Sequence, residues 1–191
     1  GFGQRPEIGL KGAALGRLRP WKQWRAVEKA TMAYGYGLSA SLVQIARAYS
    51  AFAADGHVTR LRLTRVDDAH PAEQGARVFT AKTTAAIRKM LQMAAGPGGT
   101  GQRAQTDSYS VGGKSGTARK LVGRAYSEGK YRSWFVGLAP ISNPRLVVVV
   151  MIDEPGNGGY YGGLVAAPLF SKVTEQALRT LGVQPDLKVK P

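Results

Sequence analysis

Hydrophobic positions recur at helical spacing in the first part of the chain. One repeat, which predicts a short helix, consists of Trp24, Val27 and Met32. A longer helix is predicted next, where Ser39 or Ser41 can cap the start and Gly56 ends it. Its apolar positions are Leu42, Ile45, Ala46, Tyr49, Phe52 and Ala53. This part of the chain is therefore expected to be helical.

The same periodicity predicts two more helices. Thr80 caps the first of them and Gly96 ends it, ahead of the loop GPGGTG at residues 96–101. Its apolar stripe consists of Ile87, Met90, Leu91 and Ala94. The second lies near the end of the chain and stops at Gly182. Its stripe consists of Phe170, Val173, Ala177 and Leu181.

Other segments favour strands. Residues 58–66 partly alternate apolar and polar side chains, which predicts a strand with arginines on its solvent side, followed by a polar connection over 67–78. Three later strands are predicted at residues 111–120, 131–140 and 145–153. The short, turn-rich connection between the last two favours antiparallel pairing. A sheet with helices before and after it indicates the α+β class.

Composition excludes several kinds of site. The 191 residues include no cysteine, which excludes disulfides, thiolate metal sites and cysteine nucleophiles, and only two histidines. A transition-metal site is therefore not expected, and the sequence indicates no cofactor. The longest apolar run, residues 146–152, is far shorter than the about 20 residues that a membrane-spanning helix needs.

The net charge of +15 raises the possibility of a polyanionic partner. The sequence shows no helix-turn-helix, zinc-finger or aromatic RNA-binding motif, so nucleic acid is not an expected partner. A basic surface near anionic lipid or anionic cell-wall polymer is the simpler interpretation.

The stretch GGKS at residues 112–115 suggests a phosphate-binding loop, which needs the pattern G-x-x-x-x-G-K-[ST]. The first glycine of that pattern would fall at Ser108. The loop must also open into a helix, whose N-terminal amides hold the phosphates, and Gly116 is a poor residue for that purpose. The run VVVVMIDE would complete the pair as a Walker B segment, but such runs are common at strand ends. This interpretation stays a minor alternative.

The overlapping stretch KSGT, residues 114–117, suggests a different chemistry. On a strand, Ser115 and Thr117 share one face and Lys114 is directed elsewhere. Two hydroxyls and a cation suit a ligand carboxylate, and Gly116 lets a ligand backbone approach closely. An edge strand can also align an extended peptide, and a backbone N–H there can serve an oxyanion hole.

Six stretches of the chain resemble, in order, the C-terminal half of the transpeptidase domain of class B penicillin-binding proteins. They are YGYGLSASLVQIARAYSAFAADG, GPGGTG, GGKSGTARK, FVGLAP, LVVVVMIDEP and YYGGLVAAPLFSKV. The motif KSGT resembles the third motif of the penicillin-binding proteins and serine β-lactamases. GTARK and YYGG are more similar to the division-specific, septal type (FtsI) than to the elongation type.

The resemblance implies a penicillin-binding-protein or serine β-lactamase-like fold, an antiparallel sheet of about five strands flanked by helices. Residues 1–191 are then the C-terminal part of one transpeptidase domain. Its helical part covers about 1–100, and the strands and terminal helix cover about 108–183. The three late strands would be the third to fifth of the sheet, with the last helix packed across it.

The resemblance also implies acyl transfer. In the family, a serine in S-x-x-K attacks the D-Ala-D-Ala bond of a peptidoglycan stem peptide, D-alanine leaves, and an amine of a second stem takes the acyl group. An S-x-N motif assists proton transfer. This chain has no S-x-N, and its one S-x-x-K, at residues 127–130, is expected to be a connection between strands. The isolated chain is therefore expected to be inactive and to be a fragment.

Roles carry over by position. Lys114 corresponds to the cation that orders proton transfer and attracts the carboxylate. The hydroxyls of Ser115 and Thr117 would bind that carboxylate, and the Thr117 amide would be the second oxyanion donor. Gly116 would give clearance. Arg119 would guide acidic groups on the substrate or antibiotic, with an ordinary solvated strand arginine as the alternative.

Further residues are assigned in the same way. The segment Tyr160, Tyr161, Gly162 and Gly163 would flank the site, with a turn and packing aromatics as the alternative. GPGGTG is expected to be structural, and Asp153 and Glu154 are expected to cap a strand end.

The implied partners are the D-Ala-D-Ala stem peptide, β-lactam antibiotics and membrane proteins of the division machinery. The implied location is the periplasmic side of the inner membrane, in a parent protein whose anchor is not in this chain. A non-catalytic binding or scaffold module of the division machinery is the alternative function.

Overall fold

The computed structural model describes residues 1–188 except 7, 10, 65–73, 124, 157 and 158. Three helices come first: α1 (Ala26–Met32), α2 (Leu42–Ala53) and α3 (Ala81–Ala95). Three strands follow: β1 (Gly112–Val122), β2 (Ala125–Ala139) and β3 (Leu146–Asp153). The last elements are the single turn α4 (Gly162–Val165) and the helix α5 (Ala167–Thr180). Short 3-10 turns cover Trp21–Gln23 and Gln102–Ala104.

The helix starts follow the capping residues in the sequence. Ser41 caps α2: its side chain accepts a hydrogen bond from the Gln44 amide, and the Gln44 side chain accepts one from the Ser41 amide. This reciprocal arrangement satisfies two amides that the first helical turn leaves free. Thr80 caps α3 by accepting from the Thr83 amide, and Gly96 ends the helix. The predicted caps are confirmed, with Ser41 rather than Ser39 before α2.

The described strands form one antiparallel sheet in the order β1-β2-β3. β2 lies in the centre, and its register pairs Gly116 with Trp134 and Trp134 with Met151. The antiparallel pairing predicted for β2 and β3 is confirmed. β1 lies at an edge of the sheet formed by the described residues.

Apolar side chains cover both faces of this sheet. On one face, Phe135 of β2 packs against Phe170 of α5, with ring centroids 4.8 Å apart. On the other face, Leu138 packs with Leu91 of α3 and Ile141. Burial of each large apolar side chain stabilises the fold by about 1.5–3 kcal/mol. The result is a three-layer arrangement with the sheet between α5 and the α2–α3 pair. The predicted α+β class and the packing of the last helix across the sheet are confirmed.

The buried face of α5 differs from the predicted stripe. Phe170 is buried as expected, but Val173 is 44% exposed and Leu181 is 62% exposed. The buried positions are Ala167, Phe170, Thr174 and Leu178. The apolar pattern alone therefore predicted the wrong buried positions: the polar residue Thr174 is buried, whereas the neighbouring Val173 is exposed. Met90 of α3 likewise lies outside the core, at 64% exposure.

The strand predicted at residues 58–66 is wrong for the part that the structure describes. Residues 58–64 are not in a strand, and the local pairing is limited to an isolated bridge between His57 and Arg77. An alternating pattern makes a strand only when a neighbouring strand supplies hydrogen-bond partners. Residues 65–73, which hold the rest of this strand and much of the predicted connection, lie outside the described residues.

The segment at residues 127–130 belongs to β2 rather than to a connection, so that prediction is also wrong. β1 and β2 lose register there: Arg119 pairs with Tyr131, whereas Leu121 pairs with Tyr126. The extra residues on β2 form an irregular bulge, and Gly129 takes a φ of 73° within it. The true turn of the hairpin is tighter and lies between Val122 and Ala125.

Ion pairs join the three strands at one end of the sheet. The Lys120 ammonium of β1 contacts Asp153 Oδ2 at 2.7 Å and Glu154 Oε1 at 2.6 Å. Arg132 of β2 contacts Asp153 at 3.1 Å, and Lys130 contacts Glu154 at 3.4 Å. Hydrogen bonds from Lys120 lower the pKa of both carboxyls, and the carboxylates raise the pKa of Lys120. Asp153 and Glu154 therefore bind basic side chains across the sheet.

The pH dependence of this network follows from these directions. Lowered acid pKa values give a stabilisation that is present above the unfolded pKa of about 4 and lost as the pH falls through the folded values. The raised pKa of Lys120 gives a stabilisation that is lost only as the pH rises above about 10.4. We expect Lys120→Met to lower Tm by about 2 °C at pH 7, with a smaller difference from the unsubstituted chain at pH 3.

Thermal unfolding followed by circular dichroism at both pH values checks this expectation. Lys172→Met, at an exposed position of α5, is the control for loss of one positive charge. Equal Tm changes for the two variants at pH 7 would contradict a specific role for the network.

Candidate active site

The KSGT residues lie in β1, and the backbone groups of Ser115 and Thr117 face the open edge of the sheet. The Arg119 amide donates to Tyr36 Oη at 3.2 Å, and the Ser115 carbonyl accepts from Lys114 Nζ at 2.7 Å, so both groups point away from β2. Alternate residues of a strand direct their backbone groups to the same edge. The Thr117 N–H therefore points to the same open edge, where a carbonyl of an extended peptide could accept a hydrogen bond from it.

The side chains of Ser115 and Thr117 contact the elements beside β1. The Gly162 amide, at the start of α4, donates to Thr117 Oγ1 at 2.9 Å. Because this amide occupies a lone pair of the Thr117 hydroxyl, the hydroxyl proton stays available for a ligand carboxylate. Thr117 is thus held in place as a hydrogen-bond donor.

Ser115 is engaged differently. Its Oγ donates to Thr100 Oγ1 at 3.2 Å, so a carboxylate at Ser115 must compete with Thr100 for the hydroxyl proton. A Cβ built on Gly163 would lie 1.9 Å from the Thr100 carbonyl oxygen, which shows how closely α4 and the GPGGTG loop approach. The sequence predicted a structural role for this loop and gave no signal for a contact between Thr100 and the motif serine.

Trp134 is a second residue that the sequence pattern missed. A Cβ on Gly116 would lie 1.6 Å from Trp134 Nε1, because the indole of the cross-strand partner fills the space beside the glycine. Gly116 therefore has an internal packing role as well as the clearance predicted for a ligand. A tryptophan paired across the sheet with a strand glycine indicates such packing, but the pairing can be recognised only when the strand register is known.

Lys114 and Arg119 are both exposed, although the alternation of side chains along the strand directs them to opposite faces. The Lys114 ammonium stays at the open edge, bonded to the Ser115 carbonyl. The hydroxyl of Tyr36, from the YGYG segment before α2, accepts a hydrogen bond from the Arg119 amide and so covers the edge just beyond Thr117. The open part of the edge includes Ser115 and Thr117, and Tyr36 marks its limit.

Tyr160 and Tyr161 form an aromatic group beside β2. Tyr160 stacks on Tyr131, with ring centroids 4.0 Å apart, and its carbonyl accepts from the Ser133 hydroxyl. The Tyr160 hydroxyl donates to that of Tyr161 at 3.3 Å, and this bond raises the pKa of Tyr160. The structure thus brings Gly162 and Gly163 directly against the motif strand, while both tyrosines are partly exposed next to it.

Neither the phosphate-loop alternative nor a closed pocket fits this geometry. Residues 114–122 continue β1, so no helix N-terminus follows Lys114 to hold phosphates. Two cavities formed by the described residues lie elsewhere. One of about 180 Å³ adjoins Arg47 and Phe79, and one of about 460 Å³ adjoins Gln92 and Leu187. The KSGT edge is an open surface.

The tight fit of Gly116 against Trp134 gives a testable expectation. Gly116→Ala forces a methyl group into the indole, which should destabilise the chain by about 1–3 kcal/mol and lower Tm. Gly156→Ala is the matched control, since a Cβ there meets nothing within 4 Å. Thermal unfolding of both variants checks this. If the clash with the indole is the cause, Gly116→Ala should lower Tm much less when Trp134 is already replaced by alanine. Equal Tm for Gly116→Ala and Gly156→Ala would contradict the expectation.

Comparison with known proteins supplies the family. The model of the penicillin binding protein transpeptidase domain matches residues 1–175. The chain is 44% identical over 185 residues to the probable peptidoglycan D,D-transpeptidase PenA of Neisseria gonorrhoeae, covering 97% of this chain and 31% of that protein. It is 38% identical over 187 residues to the peptidoglycan D,D-transpeptidase FtsI of Escherichia coli K12, again covering 97% of this chain and 31% of that protein.

The solved structures agree. The apo transpeptidase domain of Burkholderia pseudomallei penicillin-binding protein 3 superposes with a TM-score of 0.91 at 52% identity, covering 98% of this chain and 56% of that one. The chain therefore spans about a third of the length of the curated relatives it matches. On this evidence, and with a KSGT motif on an open strand edge, the chain belongs to the transpeptidase domain family of class B penicillin-binding proteins.

Proposed function

We propose that this chain is the substrate-aligning part of a peptidoglycan D,D-transpeptidase of the septal type. One observation carries the proposal: the Thr117 hydroxyl and the Thr117 amide are both available as hydrogen-bond donors at an open strand edge, and the Lys114 ammonium lies at the same edge. That combination suits a peptide with a free C-terminal carboxylate, which the edge can align by backbone hydrogen bonds. The relatives named as D,D-transpeptidases support the same reaction.

In the proposed reaction, a serine elsewhere in the protein attacks the carbonyl between two D-alanines of a stem peptide. The Thr117 amide stabilises the oxyanion that forms, and Lys114 and Thr117 hold the terminal carboxylate. D-Alanine leaves, and an amine of a second stem peptide displaces the serine. A β-lactam carries a carboxylate and a reactive carbonyl in similar positions and would occupy the same edge.

The nucleophile is assigned outside this chain because neither Ser115 nor Ser127, the serines of the two candidate motifs, has a general base beside it. Ser115 donates to Thr100, and Ser127 donates weakly to the Glu128 carbonyl at 3.5 Å. Lys130, the nearest lysine in sequence to Ser127, is ion-paired with Glu154 and so is engaged as a cation. A serine without a general base is a poor nucleophile. We therefore interpret the S-x-x-K at residues 127–130 as a coincidence of sequence.

The open form of the site fits this division of labour. The KSGT edge has one wall in this chain, and the second wall and the nucleophile would come from the rest of a longer protein. We place that protein in the inner membrane, with this domain in the periplasm and division proteins as partners. Within the described residues, no helix combines the length and the hydrophobicity needed to cross a bilayer.

Acylation of a chimera tests the role of Thr117. In the chimera, this chain replaces the segment of gonococcal PenA that it matches. Thr117→Val should slow acylation by a fluorescent penicillin about ten- to a hundred-fold, because it removes a hydrogen bond to a charged group worth about 1.5–3 kcal/mol. Thr117→Ser keeps the hydroxyl and should retain most of the rate. The second-order labelling rate is the measurement, and an unchanged rate in Thr117→Val would remove Thr117 from the site.

The isolated chain provides the complementary test. Incubated with a fluorescent penicillin, denatured and analysed by mass spectrometry, it should carry no covalent label. Stoichiometric labelling at Ser115 or Ser127 would show a nucleophile in this chain and contradict the assignment. A chimera that folds but is never labelled would instead favour the alternative of a non-catalytic module.

A further inference from the structure

Residues 183–187, which follow α5, return to the start of β1, and we call them the C-terminal strap. The strap lies beyond the part of the chain that the family model matches, which ends at residue 175. Val183 packs against the core formed by α5 and the sheet, and its carbonyl accepts from the buried Tyr109 hydroxyl at 2.8 Å. The Leu187 amide donates to the Ser108 carbonyl at 3.1 Å. The strap is therefore bonded to the segment that leads into the KSGT strand.

Asp186 makes the central contacts of the strap. Its Oδ1 accepts from the Ser110 amide at 2.7 Å, and its Oδ2 accepts from the hydroxyls of both Ser110 and Ser142. Ser110 precedes β1, and Ser142 lies in the turn between β2 and β3. Partial burial alone would raise the pKa of Asp186, but the bonds from Ser110 and Ser142 outweigh it and lower the pKa. One carboxylate thus ties two loops that are far apart in sequence.

The backbone between Ser110 and Lys114 has little room to move. Val111 is buried, and the Ser110 carbonyl accepts from the Ile141 amide at 2.8 Å. A Cβ on Gly112 would lie 2.7 Å from Ile141 Cδ1, and one on Gly113 would lie 2.5 Å from the Phe135 ring. Because the strand is packed this tightly, a shift of Ser110 must be passed along to Lys114.

We propose that the C-terminal strap sets the position of the KSGT strand, with Asp186 as its positioning residue. Asp186 touches no substrate in this scheme and acts through Ser110 and the two glycines that follow. The consequence for catalysis rests on the proposed function, since the strand position affects acylation only if Lys114 and Thr117 act on the substrate. The structural part of the inference can be measured in the chain by itself.

Amide hydrogen exchange in the 191-residue chain is the first test. The amides of Lys114 and Gly116 point toward β2 and are protected, by the same alternation that directs Thr117 to the open edge. Asp186→Ala should speed their exchange about fivefold, the size expected for loss of a net hydrogen bond at an exposed carboxylate. Asp107→Ala, which removes an exposed carboxylate beside Ser108, should leave their exchange unchanged.

A second pair of variants keeps the test decisive if Asp186→Ala folds poorly. Ser142→Ala removes one donor to Asp186 and should give a smaller increase at the same amides, whereas Ser142→Thr keeps the hydroxyl and should restore protection. Equal exchange in the Asp186 and Asp107 variants would overturn the proposal. So would an increase that spreads equally to the α3 amides, because it would indicate general destabilisation.

Labelling of the PenA chimera tests the catalytic part. Asp186→Ala should lower the acylation rate constant about fivefold, while the fraction of molecules that become labelled stays the same. A fall in the labelled fraction with an unchanged rate constant would mean a structural role only and would overturn the positioning role. An unsubstituted chimera that takes no label would contradict the proposed function, and the exchange experiment would still decide whether the strap holds the strand.

Discussion

β1 is held in place by hydrogen bonds along one edge and by packing on both faces, while its other edge stays open. β2 supplies the ladder, with pairs from Gly112–Leu138 to Arg119–Tyr131. Phe135 and Phe170 fill one side of the sheet, and Leu91, Leu138 and Ile141 fill the other. An open edge on a firmly held strand is what a peptide-aligning site requires, because the backbone donors are ordered before the ligand arrives.

Glycine makes this packing possible. Gly113 and Gly116 lie against the rings of Phe135 and Trp134, and Gly162 lies against the backbone of Gly116 and Trp134. Each close approach brings α4 or an aromatic ring nearer to the motif strand than a side chain would permit. The same close approach lets the Gly162 amide reach the Thr117 hydroxyl. The glycines of the motif therefore allow this internal packing, and the predicted clearance for a ligand would depend on the same residues.

The two ends of the strand are held by different means. At its far end, Lys120 joins Asp153 and Glu154 in an exposed network that screening weakens. At its near end, hydrogen bonds from Ser110 and the burial of Val111 fix the entry of the chain. The motif residues lie between these anchors.

The sequence by itself determined the caps that bound α3, the presence of the three late strands and the KSGT motif, because caps, periodicity and short turns are local properties of the chain. It misjudged the buried face of α5, the strand at residues 58–66 and the segment at 127–130. In each case the outcome depends on a neighbour that local pattern does not identify. Only the tertiary structure decided that the Thr117 hydroxyl is left as a donor while Ser115 is engaged by Thr100. The reason is that these partners are contributed by segments 45 and 15 residues away in sequence, and only folding brings them to the strand.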